Sequence, residues 1–515
     1  MKNLFKTLCI VSAINFVGCN DDTSTSTPIN TTVNFQYATT INVGGESAAE
    51  ISTYDTKTQK LFVVNSEAKE IAVYNLKNVS APEKLNSIPI MTGAPNSISS
   101  YNGKVAIALE DNIKQNNGKI TVYNTENNNL LNSYTVGSLP DMVTFTKDGN
   151  YILCANEGEP NSLYTNDPEG SVSIIDLQNN QVTTLGFTSF NNQETSLENN
   201  GFRVFGPNAS LAQDVEPEYI AVSDDSKTAW VSLQENNGIA KVNIATKTIE
   251  AIYPLGFKDY SIAGNEIDPS NKDDKKELRS VPVYGIYQPD AITYVNINGT
   301  GYIISANEGD AREYIDDKGT DDENDDEDIF VNEKRIKKID LDPIAFPNAA
   351  ELQEDENLGR LKIALDLGDI DNDGDYDKLY AYGGRSFSIW SENGALIYDS
   401  GNSISAKTLE LSQATFNDDD GRSDDKGAEP EAVEVLNMNN ERYILFVGLE
   451  RTDQVMVYDI TNPSAPMFLT ILSHDGDEAP EGLLVIPAAD SPNGKDLLLV
   501  SNEDSGTVSI YQNIK

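Results

Sequence analysis

Apolar and polar residues alternate along this chain in short runs, and the runs recur. From about residue 48 onward one unit keeps returning: a Pro followed by Asp or Glu, an alternating strand, a turn, a more continuously apolar strand ending in Glu, and a third strand ending near Asp or Asn. The clearest openings are LPDMVTF at 139, VEPEYIAV at 215, QPDAITYV at 288, AEPEAVEV at 428 and APEGLLVI at 479, with weaker copies AAEISTY at 48 and APNSISS at 94. The second strands close on Glu67, Glu110, Glu157, Glu235, Glu308, Glu450 and Glu503. Third strands such as SVSIIDL and VMVYDI follow a Gly or a polar turn, and helical periodicity is almost absent.

Short strands at repeated spacing imply small antiparallel sheets arrayed around an axis, which hides most sheet edges. The expected fold is therefore all-β: a β-propeller of four-stranded antiparallel blades over residues 33–515. Seven copies favour seven blades. The interval between the Pro289 and Pro430 copies is about twice the others and holds KLYAYGG, SFSIW and ALIYDSG, a further hairpin set without the Pro-acid opening, so eight blades stay open. Residues 33–43, VNFQYATTINV, precede the first copy, and the last copy stops after its third strand. The orphan strand is expected to complete the last blade and close the ring.

Antiparallel neighbours place the start of the first strand and the end of the second at one rim. Asp141, Glu218, Asp290, Glu431 and Glu481 should therefore share a face with the seven terminal glutamates, as a ring of carboxylates around the mouth of a central channel. Such repetition also suits a closure role, with acids accepting hydrogen bonds from neighbouring blades. Arginine breaks the symmetry. Of nine arginines, Arg312, Arg385, Arg422 and Arg451 sit at blade-end motifs in the second half of the chain, with Lys426 beside them. Planar guanidinium groups there suit a phosphate or carboxylate ligand, or else each pairs with a nearby acid.

The sharpest local motif runs Asp369, Asp371, Asp373, Gly374, Asp375, Asp377, with carboxylates at alternate positions and a Gly for the tight turn. It opens like an EF-hand loop but has Tyr380 where the bidentate Glu belongs, and D-x-D-x-D-G-x-x-D is similar to the hairpin calcium loops of integrin-type propellers. Five carboxylates in nine residues repel one another unless a cation lies between them, so Ca2+ is the expected cofactor, in a structural role. The acidic stretch 417–425 has similar chemistry with poorer spacing. The run 316–328, inside an acidic insertion at about 310–330, has no ligand spacing and reads as a structureless loop.

Composition narrows the function classes. A formal charge of -45 excludes a nucleic-acid partner and repels anionic headgroups. Lys2 and Lys6 precede the apolar stretch 8–17, too short to span a bilayer, and Phe16-Val17-Gly18-Cys19 resembles the lipobox of bacterial lipoproteins. Residues 1–18 then form a signal peptide, Cys19 is lipidated, 19–32 is a polar tether, and the lipid alone contacts the outer membrane at the cell surface. Cys154, inside an apolar run, is expected to be a core residue, and disulfides are excluded. With His474 the one histidine, and no nucleophile elbow, Ser-His-Asp chemistry is disfavoured.

Over most of residues 33–515 the chain resembles the choice-of-anchor I family of bacterial surface propellers, related to mesenchyme-specific cell surface glycoprotein. DVEPEYIAVS, ANEGDAREY, DGDYDKLYAYGGRSFSIW, GRSDDKGAEPEAVEV and FVGLERTDQVMVYDI carry the resemblance. It implies a fold and a surface address more than a reaction, although some relatives bear alkaline-phosphatase or phytase-like labels. The expected function is a monomeric surface module that binds a small anion, glycan or protein through its channel rim. The alternative is a calcium-dependent phosphomonoester hydrolase, with Glu431 or Glu450 as metal ligand or base and Arg312, Arg422 and Arg451 holding phosphate. A purely structural surface component, third, predicts no arginine cluster at the rim.

Overall fold

The structure, a computed structural model, describes residues 31–318 and 326–514. The signal segment, the lipobox with Cys19 and residues 319–325 of the acidic run lie outside the described residues. The chain is a β-propeller. Blade one is built from Ser52–Asp55, Lys60–Asn65 and Glu70–Asn75, with an outer edge broken into Glu83–Lys84 and Ile88–Pro89. Six four-stranded antiparallel sheets accompany it. Their first strands are Pro95–Tyr101, Pro140–Phe145, Pro217–Val222, Ile292–Ile297, Pro430–Met438 and Pro480–Ile486. These strands touch one another in chain order and the last touches Ser52–Asp55, so the ring is closed.

Closure is made by the orphan strand. Phe35–Asn42 pairs antiparallel with Thr507–Asn513 as the outermost strand of the blade that begins at Pro480. Phe35 meets Phe446 of the preceding blade edge-on at 5.1 Å, and Tyr37 stacks on His474 at 3.8 Å. Apolar packing continues from one blade to the next. Ala106, Ile120 and Val122 of blade two pack with Val143, Ile152 and Cys154 of blade three, so Cys154 is a core residue whose thiol burial pushes up.

The Pro-acid opening has a structural cause. Pro95, Pro140, Pro217, Pro430 and Pro480 each pair with the last residues of the neighbouring second strand, and a register shift follows at once. Proline supplies no N–H to the ladder, so it fits where pairing starts, and the bulge leaves the residue after it, an acid in every case but Asn96, outside the regular pairing. Leu139, Gln288, Glu429 and Ala479, each just before such a proline, have positive φ. The strained turn recurs from blade to blade and aims the acids at the axis.

Blade five departs from the sequence expectation. Its second strand, Thr300–Asn307, pairs directly with Ser386–Ser391, and Leu396–Asp399 is its outer strand. SFSIW and ALIYDSG are therefore this blade's own third and fourth strands rather than an extra hairpin set, and residues 308–385 are an insertion. The insertion is longer than the 310–330 expected. Its neck is tight: a Cβ on Gly309 would lie 2.1 Å from the Gly383 nitrogen, and both glycines have positive φ. Beyond the neck Tyr380–Ala381 pairs in parallel with Tyr284–Ile286, next to Phe257–Asp259, over a small core of Tyr260, Ile336, Leu361 and Leu379. Glu313–Asp316 pairs with Glu327–Val331, so both flanks of the acidic run, expected to be structureless, form a hairpin.

Candidate functional site

The acids gather as topology demands. Asp141, Glu218, Asp290 and Glu481 from first strands and Glu110, Glu157, Glu235 and Glu503 from just beyond second strands line one cavity of about 520 Å3 at the channel mouth. Glu50 and Asp310 join them, and the one basic side chain on the wall is Lys114. A second cavity of about 330 Å3 fills the other half of the channel. Ile51, Ser97, Met142 and Tyr219 line both, so they mark where the acidic half, a cup at the mouth, meets the rest of the channel.

Crowded carboxylates out of water resist ionising. Burial, then the charges of Asp290 and Glu235, push Asp141 up to about 7. Burial raises Glu50 to about 7 as well. Glu157, Glu218, Glu431 and Glu481 are held well above the usual carboxylate range, again by burial first and by one another's charge second. Burial and mutual repulsion therefore favour the protonated form of these acids. Glu218 and Glu235 are 8% and 7% exposed and hydrogen-bond each other, and the Oε2 of each is shut off from solvent with no other partner.

A second constellation sits at the rim beside the insertion neck. Glu429 is fully buried and takes Arg422 Nε at 2.7 Å on one oxygen, with Arg451 Nε at 3.5 Å and Lys426 Nζ at 3.6 Å on the other. Lys426 also reaches Glu308 at 2.9 Å and Asp310 at 3.2 Å, while Arg451 holds Glu450 at 2.8 Å. Glu308, Glu429 and Glu450 bring oxygens within 4.8 Å of one another, close enough to share a cation. Burial pushes Glu308 up to about 8 and Glu450 to about 7, with neighbouring Lys426 pulling Glu308 back and Glu429 raising Glu450 further. Glu429 escaped the sequence reading, which took only the acid after each proline; the AEPE motif carries an acid on both sides.

Of the other arginines expected at the rim, two are elsewhere. Arg312 is buried and bound to Asp214 at 2.8 Å and Glu216 at 2.7 Å. Arg385 is buried and donates to the carbonyls of Asp268, Ser423 and Asp425. The guanidinium of Arg312 is fully used by internal bonds, and so are both Nη atoms of Arg385, whose buried Nε is left without a partner. Glu431 sits against Asp290 on the inner wall.

The aspartate loop lies in the insertion, between Lys362–Ala364 and Tyr380–Ala381, and not in the propeller wall. Asp369, Asp371 and Asp373 bring oxygens within 4.8 Å of one another. Asp369 accepts from the Asp373 and Gly374 amides at 3.2 and 3.1 Å, and Asp377 accepts from the Ile370 amide at 2.9 Å. Asp375 is pushed up to about 6, by partial desolvation and then by Asp373. In the 417–425 stretch the acids are committed differently: Asp419 pairs with Lys276, Asp424 with Arg360, and Asp425 with Lys362.

Fold and site together define a β-propeller with an acidic channel cup and an inserted subdomain. The chain belongs to the choice-of-anchor I domain family, whose model matches residues 50–463. The family match points to a surface protein, and no helix among the described residues is long and apolar enough to cross a membrane. Gigasin-3a of Magallana gigas is 33% identical over 189 residues, covering 31% of this chain and 66% of that protein, so the chain spans just under two thirds of the relative's length. Among solved structures, hydrazine synthase of Kuenenia stuttgartiensis aligns with a TM-score of 0.48 at 10% identity, covering 91% of this chain and 96% of that one. The Cps50 (Swd1) β-propeller domain of Myceliophteria thermophila aligns at 0.47 and 7% identity, covering 94% and 100%.

Proposed function

We propose that this protein is an exported, lipid-anchored surface module that binds a ligand in the cup at its channel mouth, with Ca2+ stiffening the inserted subdomain. The observation that carries the reading is the cup itself: side chains from successive blades converge on one cavity at the channel mouth, ten of them acidic. The expected anion preference loses its main support, since Arg312 and Arg385 are consumed internally and Arg422 and Arg451 face Glu429. Thermal-shift screening against glycans, peptides, anions and cations tests the reading. A ligand whose shift disappears in an Asp290→Asn variant supports it, and no shift from any class overturns it.

A second reading, metal-dependent phosphomonoester hydrolysis, rests on one observation: the Glu308, Glu429 and Glu450 oxygens converge beside Arg422, Arg451 and Lys426. A bound divalent cation would supply Lewis acidity there, and the two arginines would orient a phosphate. Turnover of a phosphate-ester panel that vanishes with chelator and in Arg422→Ala and Arg451→Ala would favour it.

A further inference from the structure

The strand that closes the ring also fixes where the chain enters the propeller. Asn42 pairs with Thr507, which follows the rim loop opened by the cup residue Glu503, and Phe35 pairs with Asn513 at the far end of the same strand. Phe35 therefore stands at the end of the channel away from the cup. Arg442 Nη1 donates to the Thr31 carbonyl and Asn513 Nδ2 to the Thr32 carbonyl, both at 2.9 Å, and the Asn34 amide donates to Asn513 Oδ1 at 2.8 Å. Whatever precedes Thr31 leaves from that far face.

Charge is divided between the two faces. Among the described residues the far face is made of 13 connections, from first to second and from third to fourth strands. Counted from the last residue of one strand to the first of the next, they hold nine Lys and Arg against twelve Asp and Glu. Of those acids Asp55, Asp459 and Asp496 are buried, so the two signs balance at the surface. On the cup side, the insertion 308–385 alone holds 25 Asp and Glu against 10 Lys and Arg. It is pinned to the loops of that rim by Arg203 with Asp366 at 2.7 Å, Arg360 with Asp424 at 2.8 Å and Lys362 with Asp425 at 3.1 Å.

We propose that the face opposite the cup is a membrane-facing surface: it lies against the phospholipid headgroups of the bilayer that holds the Cys19 lipid, and the cup and the insertion point away from it. This rests on the lipid-anchored reading. Cys19 and Thr31 are 12 residues apart, so the link between them reaches at most about 40 Å. To turn the cup toward the bilayer, the link has to climb the height of a blade, about 20 Å for a six-residue strand such as Lys104–Leu109, and then clear the insertion. Anionic headgroups add a penalty of the same sign, because they repel the acidic side within a Debye length of about 8–10 Å. The balanced face, with Lys57, Lys77, Lys104 and Lys147 exposed, meets no such repulsion. The lipid supplies the affinity and the asymmetry supplies the direction, which leaves the channel mouth open to ligands arriving from solvent.

Resonance energy transfer tests this on the full-length lipidated protein, reconstituted in phosphatidylcholine–phosphatidylglycerol vesicles that carry an acceptor dye on the headgroup. Donor dyes are placed by Lys104→Cys on the far face and by Ile113→Cys on the cup rim; both positions are exposed on blade two, and Cys154 is buried and does not label. Transfer from Lys104→Cys is expected to exceed that from Ile113→Cys about threefold or more, given a separation of about 20 Å along the strand direction. The ratio is expected to shrink as salt screens the headgroups. Equal transfer from the two sites, or stronger transfer from Ile113→Cys, in protein that floats with the vesicles overturns the inference and leaves the lipid-anchored reading standing. Failure to float with the vesicles, or flotation that survives Cys19→Ala, overturns the lipid-anchored reading and the inference with it.

Discussion

Arg312 presents Nε and Nη2 to a single oxygen of Glu216, at 3.0 and 2.7 Å, and its Nη1 to Asp214 at 2.8 Å. All three side chains are buried, and the guanidinium lies over the Phe205 ring at 4.6 Å. This contact ties the insertion to the segment leading into blade four. Removing the cation leaves two carboxylates in the interior, so Arg312→Met is expected to cost about 3–5 kcal/mol, measured by urea unfolding. A loss near zero, or a loss of ligand binding with full stability, would return Arg312 to the role of a ligand contact.

Glu429 plays the converse part, one buried anion among three cations. Glu429→Gln should lower stability more than Arg422→Ala does, because Arg422 is 28% exposed and its loss leaves Lys426 and Arg451 in place. The difference is expected to be about 1–2 kcal/mol. Parallel denaturant curves of the two variants check the order.

These two junctions mark where local pattern stops being informative. The blades were legible because Pro140, Pro217, Pro430 and Pro480 each mark a strand start, and because terminal glutamates recur at one offset from an apolar run. The rim ring followed from antiparallel pairing alone. The insertion was not legible, since Tyr380–Ala381 pairs with Tyr284–Ile286 almost a hundred residues upstream and in parallel, which no local periodicity records. Arg312 misled for the same reason: its partners are 96 and 98 residues away in sequence. Glu429 hid in a positive-φ turn, where strand patterning has nothing to say.

Stability should depend on pH in an uncommon direction. Glu50, Asp141, Glu308 and Glu450 have folded-state values of about 7, 7, 8 and 7, above their ordinary carboxylate range, so the native state holds protons that the unfolded chain releases. For such groups the unfolding free energy falls as pH rises from about 4.5 to about 8 and then levels off. Asp366 and Asp425 act oppositely, because Arg203 and Arg422 outweigh their burial and hold them below the usual range; their contribution is lost only below about pH 4. The melting temperature should therefore peak near pH 5 and decline by several degrees towards pH 8. Asp141→Asn should flatten that decline and raise the melting temperature at pH 8. A maximum at pH 7 to 8 with the wild type would contradict the buried, protonated cup.

The aspartate loop makes a separable prediction because it stands in the insertion and the cup stands on the axis. Asp369, Asp371 and Asp373 already lie within a common coordination distance, and backbone amides of Asp373 and Gly374 fix Asp369 in place. The Asp373 charge, more than desolvation, raises Asp371, so repulsion is present that a cation would relieve. Without a bidentate Glu at the twelfth position, where Tyr380 stands, affinity should fall short of a sensor EF-hand, with a dissociation constant on the order of 10⁻⁴ M. Millimolar Ca2+ should then raise the melting temperature, and chelator should reverse the rise, through preferential binding to the folded loop. Asp371→Asn and Asp373→Asn should abolish the calcium-dependent rise while leaving the fall of the melting temperature between pH 5 and 8 unchanged. Loss of both responses in Asp373→Asn would show the loop and the cup to be one coupled unit, and would refute the division between a stiffening metal loop and a ligand-binding channel mouth.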